Sequence, residues 1–543
     1  MAGATLKRTG GGGEYKVTIT GYDGDEGDVT IPDTIDGAPV TTIGYQALMG
    51  NTILTSVAIS ETVETIESEA FMDCINLTRV TIPDGVTGIE SFAFSGCKKL
   101  PNVTISSTVT TIEEDAFALC TMLENINVNT ANQNYSSLNG VLFNKLQTKL
   151  VTYPEGKTGD YSIPASVETI GDSAFSTCTG LNSITISNSV TTIGEAAFHA
   201  CTGLTTIDIP ESVTTLGDSA FLDCSGLTAI GVHASNVNFS SSGGVLFNKE
   251  KTELIACPGG KTGAYSIPAG VTTLGIGAFA ACKKITTVTI PTSVTTIENR
   301  VFLNCKNLTS VNILASVTEL PYEIFYGCSR LTSITIPDSV ATIEAEAFYG
   351  CTGLTDFTIP DSVTGILYSA FHGCTGLTRV TIPDSVTTIE TYAFYHCGNL
   401  GAANFLGNAP DTFGTDVFTD CAADFTITYL SGKTGFTTPA WNGYPSVMLY
   451  IVTFQTDGTA GATLNGSTTQ QVMPGEDTTP VEAVAPTGYR LTGWTASNGA
   501  TYSDNPLKIK NITTNLTLTA DFVKDGKSAI SSVILPLLLS DNE

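Results

Sequence analysis

The sequence predicts a β-solenoid of stacked 23-residue coils, followed by a small β-rich module. Cysteines recur mostly at 23-residue steps, and a phenylalanine stands three residues before every cysteine except Cys257. When Cys257 is skipped, two of the steps are 58 residues long, so the regular coils are interrupted twice. A fixed period of this length is typical of a solenoid rather than of a string of globular domains. The fourteen cysteines are Cys74, Cys97, Cys120, Cys178, Cys201, Cys224, Cys257, Cys282, Cys305, Cys328, Cys351, Cys374, Cys397 and Cys421.

One coil illustrates how the elements follow from the residues. In LTSITIPDSVATIEAEAFYGC, which runs from Leu331 to Cys351, alternating apolar residues predict a short strand. Pro337 ends that strand, because proline has no backbone donor for a β-ladder. Ala347 and Phe348 are expected to lie in a short helical or 3₁₀ piece. No single coil can bury its own apolar side, so neighbouring coils must stack.

This column pattern, repeated between residues 40 and 421, resembles the BspA-like (TpLRR) class of bacterial leucine-rich repeats. The resemblance implies a leucine-rich-repeat solenoid, right-handed and curved, on secreted or surface-attached proteins. It also implies adhesion to host proteins or to other cells. It implies no catalytic residue, because the family motif has none.

The two long steps contain GVLFNKLQTKLVTYPEGKTGDYSIP and GVLFNKEKTELIACPGGKTGAYSIP, which are copies of each other and predict hairpin insertions. The segment after Tyr450, with Gly493-Trp494 and a closing strand, is similar to the internalin B-type (Listeria–Bacteroides) repeat, a small β-grasp-like module. We therefore expect a disordered leader in residues 1–13, an N-terminal cap in 14–40, the solenoid in 41–425 with insertions near 128–163 and 232–267, a C-terminal cap or linker in 426–448, the internalin B-type module in 449–523 and a flexible tail in 524–543.

Composition argues against several functional classes. The net charge is −28, from 52 acidic and 24 basic side chains, and a field of this sign repels nucleic acid and anionic membranes. No apolar run is long enough for a transmembrane helix. Residues 1–13 lack the apolar stretch of a signal peptide, so the leader of an exported protein would be absent from this sequence.

No residue pattern proposes catalysis, a metal or another cofactor, so we expect none of the three. The four histidines form no metal-binding or hydrolase motif. The column cysteines are expected to be buried thiols, because their Cα–Cβ bonds would run parallel along the stack and would not converge for disulfides. Some disulfides are the alternative. An acidic loop at residues 23–28 is expected to be a solvated turn, with weak calcium binding as the alternative.

Two columns could form binding surfaces. The residue two before the cysteine becomes aromatic in four consecutive coils, which predicts either a binding stripe with a spacing near 5 Å or aromatics that fill space between coils. The strand positions between the apolar ones should face a concave sheet, where they serve protein or glycan docking, ice binding, or simply strand formation. The stripe candidates are Tyr326, Tyr349, His372 and Tyr395, and the strand candidates are Arg79, Thr81, Thr104, Thr185, Asp208, Thr289, Thr335, Thr358, Arg379 and Thr381.

The sequence therefore favours a non-catalytic, monomeric protein that is extracellular or attached to a cell surface. Its expected function is adhesion to a host protein, extracellular matrix or other cells through the repeat surface. The alternatives are a carbohydrate-capture protein that uses the stripe and a structural spacer without a ligand.

Overall fold

The computed structural model describes residues 3–9, 15–113, 115–355 and 357–526. Within these ranges every regular element is a β-strand, and no helix occurs. The chain divides into two units. The first contains residues up to 378 together with 388–400 and 412–422, and the second contains 379–387, 401–411 and the residues from 423 onward.

The strands follow one another at short intervals along the chain. The first twelve are β1 (Ala4–Thr9), β2 (Lys16–Tyr22), β3 (Asp28–Thr30), β4 (Thr34–Ile35), β5 (Ala38–Ile43), β6 (Ser56–Ala58), β7 (Thr65–Ile66), β8 (Arg79–Thr81), β9 (Gly88–Ile89), β10 (Asn102–Ile105), β11 (Thr111–Ile112) and β12 (Asn125–Val128). The next nineteen are β13 (Tyr135–Leu138), β14 (Val141–Asn144), β15 (Lys149–Thr152), β16 (Gly159–Ser162), β17 (Thr169–Ile170), β18 (Leu181–Thr185), β19 (Thr192–Ile193), β20 (Thr206–Ile209), β21 (Thr215–Leu216), β22 (Ala229–Val232), β23 (Phe239–Ser242), β24 (Val245–Asn248), β25 (Glu253–Ala256), β26 (Gly263–Ser266), β27 (Thr273–Leu274), β28 (Ile285–Ile290), β29 (Thr296–Ile297), β30 (Ser310–Ile313) and β31 (Glu319–Leu320). The last sixteen are β32 (Ser333–Thr335), β33 (Thr342–Ile343), β34 (Gly365–Ile366), β35 (Arg379–Ile382), β36 (Thr388–Ile389), β37 (Ala402–Phe405), β38 (Thr412–Phe413), β39 (Thr426–Leu430), β40 (Ala440–Trp441), β41 (Tyr444–Thr456), β42 (Thr463–Asn465), β43 (Thr469–Val472), β44 (Glu482–Val484), β45 (Tyr489–Ala496), β46 (Thr501–Tyr502) and β47 (Leu516–Lys524).

Most regular coils of the first unit contribute one longer strand and one two-residue strand. The longer strands pair in parallel with those of the next coil, as β20 does with β22, and the two-residue strands form a second parallel ladder, as β17, β19 and β21 do. Paired residues are 23 positions apart in both ladders. The sequence period is thus the length of one coil, and the predicted leucine-rich-repeat solenoid is confirmed.

The segment expected to be helical or 3₁₀ is a run of turns instead. The backbone N–H groups of Glu346, Phe348 and Gly350 donate to carbonyl oxygens of the next coil at 2.7–2.9 Å. Glu346 and Gly350 also have left-handed φ angles of 57° and 68°. A right-handed helix needs the same N–H groups for its own turns and tolerates no left-handed residue, so the coil-to-coil bonds replace it.

The core of the first unit contains the predicted phenylalanine column. Phe71 and Phe94 stack with ring centroids 5.1 Å apart and 2° between the planes, and Phe371 and Phe394 stack at 5.0 Å and 1°. Within each uninterrupted run, a coil therefore buries its ring against the rings of its neighbours. Stacked rings contribute to stability beyond the area they bury.

All fourteen cysteines are free, and thirteen of them are buried. The column thiols donate to a backbone carbonyl of the preceding coil, as Cys97 Sγ does to Phe71 O at 3.3 Å. Cys257 lies outside this column, at the position of a phenylalanine: its carbonyl accepts the Cys282 thiol at 3.4 Å.

Each insertion contains three antiparallel strands rather than two. In the first, β13 pairs with β14 and β14 with β15, after which β15 joins the two-residue ladder by pairing in parallel with β17. In the second, β23, β24 and β25 repeat this arrangement and β25 pairs with β27. The third strand of each insertion therefore restores the regular coil.

The N-terminal segment differs from the expected disordered leader. Residues 4–9 form β1, which pairs antiparallel with β2, and β2 pairs in parallel with β5. Backbone pairing along a full strand orders this segment even though most of its side chains are exposed. The flexible tail is expected at residues 524–543. Lys524 instead ends β47, and the tail from residue 527 onward lies outside the part of the chain that the structure describes.

In the second unit, β35, β37, β39 and β41 form a parallel ladder that continues into the C-terminal module. Residues 446–449 of β41 pair with β39, whereas residues 450–456 pair with β43 and β47. The boundary expected between residues 448 and 449 therefore falls inside one strand. Trp441 is buried against Phe436 at a centroid distance of 4.8 Å, and Trp494 meets Phe454 edge-on in the core of the module.

Candidate functional site

The structure brings together the four predicted stripe residues, which we call the tyrosine stripe: Tyr326, Tyr349, His372 and Tyr395. Each is half-buried and lies in the turn between two left-handed residues of its coil. Successive ring centroids are 4.7, 4.3 and 5.1 Å apart, close to the expected spacing. The spacing of the coils therefore sets the spacing of the stripe.

Most ring faces in the tyrosine stripe are turned toward one another. Tyr326 and Tyr349 are inclined by 9°, and Tyr349 and His372 by 23°. Tyr395 departs from the stack and meets His372 edge-on at 61°. The stripe therefore presents mainly ring edges and phenol groups outward, and it has few free ring faces on which a sugar could stack.

Sequence reasoning missed four aromatic residues on the coils of the stripe, two of which contact a stripe ring. Tyr392 and His396 contact Tyr395 at 5.0 and 4.0 Å, and Tyr368 contacts Tyr392 at 5.9 Å. Tyr322 lies under the Arg300 guanidinium at 5.3 Å. Tyr322, Tyr368 and Tyr392 each lie five or six residues before the cysteine of their coil, and this recurrence is the sequence signal that would have indicated them.

Acidic groups surround the stripe. Glu323 accepts a hydrogen bond from Arg300 at 2.6 Å, and Asp420 pairs with His396 at 3.2 Å. Burial, and after it the nearby Asp420 carboxylate, raises the pKa of Tyr395. Burial, and after it His396, lowers the pKa of His372. Both shifts favour the neutral forms of Tyr395 and His372, which lie close to acidic side chains.

The predicted strand residues lie on the longer strands rather than on the turns. Thr289 and Thr335 flank Asn312 in the ladder of β28, β30 and β32, where the three side chains are in register. Thr358 lies in the next coil, outside any assigned strand. The other candidates in the first unit occupy exposed positions on their strands, at Arg79, Thr81, Thr104, Thr185 and Asp208.

The threonine column is less uniform than the candidate residues suggest. Thr81 is paired with Ala58, Thr104 with Asn127, and Asp208 with Gly231. In the second unit, Arg379 and Thr381 lie on β35 opposite Ala402 and Asn404. Small, amide and charged side chains interrupt the column, so the regular threonine array that ice binding requires is absent from these described strands.

A buried carboxylate beside the first insertion was also missed. The Leu119 N–H donates to Glu155 Oε1, whereas Glu155 Oε2 is buried without a partner. Burial raises the pKa of Glu155 to about 6. Glu155 follows the β15 strand within a local Pro-Glu-Gly turn, and nothing in that turn's sequence signals burial.

Within the described ranges, potential metal ligands do not converge on one point. No three histidine, cysteine, aspartate or glutamate side chains are placed to hold a metal ion there, the acidic loop at residues 23–28 included. Ser176 Oγ lies 3.3 Å from His199 Nδ1, yet no described carboxylate lies within 4.0 Å of that imidazole to orient it. The described residues also contain no helix long and apolar enough to cross a bilayer.

Parallel strands repeating every 23 residues, a buried ring column and a turn on each coil define a leucine-rich-repeat protein. The chain belongs to the BspA-type leucine-rich repeat family, whose sequence profile matches residues 41–160, 157–262, 257–366 and 318–442. Residues 452–526 match the divergent InlB B-repeat domain. Both resemblances inferred from the sequence are therefore confirmed.

Several solved structures are similar to the chain. A leucine-rich cell surface protein of Faecalibacterium prausnitzii is 29% identical, with 74% of this chain and 96% of that chain covered and a TM-score of 0.42. A leucine-rich repeat protein of Eubacterium ventriosum is 21% identical, with coverages of 79% and 94% and a TM-score of 0.41. The pneumococcal vaccine antigen PcpA is 20% identical, with coverages of 80% and 93% and a TM-score of 0.36. No curated protein is significantly similar in sequence.

Proposed function

We propose that this protein is a non-catalytic, extracellular or cell-surface binding protein that adheres to a host protein, matrix component or other cell. The tyrosine stripe is the proposed contact surface, and its outward-facing ring edges are the observation that carries the proposal. Tyrosine supplies a large contact area and a hydroxyl group while losing little side-chain entropy. Such residues are enriched among those that dominate the binding energy of protein interfaces.

The ring geometry favours a protein partner over a carbohydrate. Carbohydrate capture is the alternative function, and it would require free aromatic faces. In the stripe, the faces of Tyr326, Tyr349 and His372 are stacked on one another. Phenol edges can still pack into a protein pocket and exchange hydrogen bonds at its rim.

The charge around the stripe favours a partner with a basic surface. Glu323 and Glu346 lie beside its first coils, Asp420 lies beside its last, and the whole chain has a net charge of −28. Complementary charge accelerates association and selects partners more than it increases affinity. Binding should therefore weaken as salt is raised.

The test is a binding panel with the full chain, against immobilised matrix proteins and a glycan array at physiological salt. Tyr349→Ala and Tyr395→Ala should each weaken a protein hit about tenfold or more, as expected for residues that dominate an interface. Thr335→Ala, on the exposed side of β32, is the matched control and should leave affinity within a factor of two.

Each other outcome counts against the proposal. A protein hit that is lost only with Thr335→Ala would move the contact to the strand residues. A glycan hit that is lost with the tyrosine variants would establish the carbohydrate alternative. No hit on either panel would favour the structural spacer.

A further inference from the structure

The two insertions have the same backbone arrangement, 104 residues apart. In the first, the Tyr153 N–H donates to Ala174 O at 2.8 Å, and in the second the Cys257 N–H donates to Ala278 O at 2.6 Å. Each insertion then returns to the stack through an equivalent bond, from Gly156 or Gly260. Differences between the two sites therefore come from side chains.

The main difference is the side chain that continues the phenylalanine column. The Tyr153 ring stacks on Phe175 at 4.9 Å and packs against Tyr161 at 4.8 Å, so it fills the column position in the first insertion. Cys257 occupies that position in the second insertion, before Phe279. A thiol is much smaller than a phenol ring, so the second insertion lacks one ring of the column.

The missing ring coincides with a cavity. The space beside Tyr153 is about 40 Å³, whereas the space at the equivalent positions around Cys257 is about 200 Å³. Phe221, Phe239, Ile255 and Cys257 contribute to the apolar part of the lining of the larger cavity, and most of the lining surface is polar. A cavity of about 150 Å³ lined by aliphatic and aromatic groups is large enough for a benzene ring.

The entrance to the larger cavity is acidic. Asp218 and Glu253 line it, and no lysine or arginine does. In the first insertion the position of Glu253 is occupied by Lys149. Burial raises the pKa of Glu253, and repulsion from the Asp218 and Glu298 carboxylates raises it further; a bound cation would relieve that repulsion.

We propose that the cavity of the second insertion binds a small arylalkylammonium ion, with its ring against Cys257 and Phe221 and its ammonium group at Asp218 and Glu253. The apolar part of the lining selects the ring, and the two carboxylates select the positive charge. This site shares no residue with the tyrosine stripe, so a negative result for ligand binding here would leave the proposed adhesion untested and unchanged.

The test is a titration of the full chain with 2-phenylethylamine, followed by calorimetry and by saturation-transfer NMR. We expect one saturable site with a dissociation constant on the order of 1 mM, since the ligand has few heavy atoms. The neutral analogue 2-phenylethanol should bind at least tenfold more weakly. Raising salt should weaken the amine more than the alcohol.

Two variants test the two halves of the site. Cys257→Tyr, which copies the first insertion, should abolish binding by filling the cavity. Glu253→Lys, which copies Lys149, should weaken the amine at least tenfold while leaving the cavity open. Lys149→Ala in the first insertion is the matched control and should leave the dissociation constant unchanged.

Three outcomes would overturn the proposal. The first is the absence of saturable binding by the wild-type protein. The second is undiminished binding by Glu253→Lys. This substitution does not alter the core, so the variant remains a valid test even if Cys257→Tyr does not fold. The third is equal affinity for the amine and the alcohol, which would leave no role for the carboxylates.

Discussion

At the residue scale, the column cysteines act as buried hydrogen-bond donors rather than as reactive groups. Cys351 Sγ donates to Phe325 O at 3.2 Å, and burial raises the pKa of Cys328 to about 12. A thiol with a raised pKa is almost entirely protonated at neutral pH and is therefore a poor nucleophile. The column position in the sequence indicated burial, but the acceptor belongs to another coil and appears only after stacking.

Glu155 provides a pH test of burial at this scale. Its pKa is about 6 in the folded protein and about 4.5 in the unfolded chain, so the folded state binds the proton more tightly. Its contribution to stability is therefore full below about pH 4.5 and is lost as pH rises through about 6. From pH 4 to pH 8 the free energy of unfolding should fall by about 2 kcal/mol because of this group.

The measurement is urea denaturation of the wild-type protein and of Glu155→Gln at pH 4 and pH 8. The glutamine keeps an acceptor for the Leu119 N–H and cannot ionise, so the wild type should lose stability relative to the variant as pH rises. A difference that does not vary with pH would show that Glu155 titrates with its unfolded pKa.

At the element level, the turn before each column cysteine contains two left-handed residues. In the coil that ends at Cys201 these are Ala196 and Ala200, with φ angles of 50° and 55°. In most coils these two positions are occupied by polar residues or glycine. Alanine has neither glycine's freedom from a Cβ nor a polar side chain that could stabilise the left-handed conformation. The strand and turn positions could be predicted from the period, whereas the left-handed geometry could not, because many residue types occupy it.

Ala200→Gly should therefore stabilise the protein. Removing the Cβ relieves a left-handed conformation that costs an L-residue about 1–2 kcal/mol, and part of this gain is offset by glycine's greater freedom in the unfolded chain. We expect the free energy of unfolding to rise by about 0.5–1 kcal/mol in urea denaturation.

Ala197→Gly is the matched control in the same turn. Ala197 is buried and is not left-handed, so the same change should lower the free energy of unfolding by about 1 kcal/mol. If the two variants were equally stable, the left-handed conformation would not be the cause.

For the molecule as a whole, the main feature is that β41 runs from the expected C-terminal cap, residues 426–448, into the internalin B-type module. Its first residues extend the solenoid ladder at β39, and its later residues lie between β43 and β47. The residue pattern changes near residue 450 because the strands that pair with β41 change there. The strand itself continues, and no flexible linker intervenes within it.

Limited chymotrypsin digestion of the folded protein should therefore spare residues 444–456. The hairpin turn between β14 and β15 is the internal comparison, because Leu146 is 78% exposed there and carries no ladder hydrogen bonds that resist cleavage. We expect chymotrypsin to cut at the turn near Leu146 before it cuts within β41. An early cut after Met448 or Tyr450 would contradict a continuous β41.

The repeat, the buried columns, the two insertions and the similarity to the internalin B-type module could all be predicted from the amino-acid sequence. These features depend on local pattern and on stacking one coil upon its copy, so a period and an apolar column are sufficient to predict them.

The contacts that the side chains of those columns make could not be predicted in this way. The stacking of Tyr326 on Tyr349, the unpartnered oxygen of Glu155 and the cavity beside Cys257 depend on side chains that are distant in sequence. The continuity of β41 likewise depends on which strands pair with it. The physical reason is that ring orientation, desolvation and cavity volume are properties of several packed coils together, and no single coil specifies them.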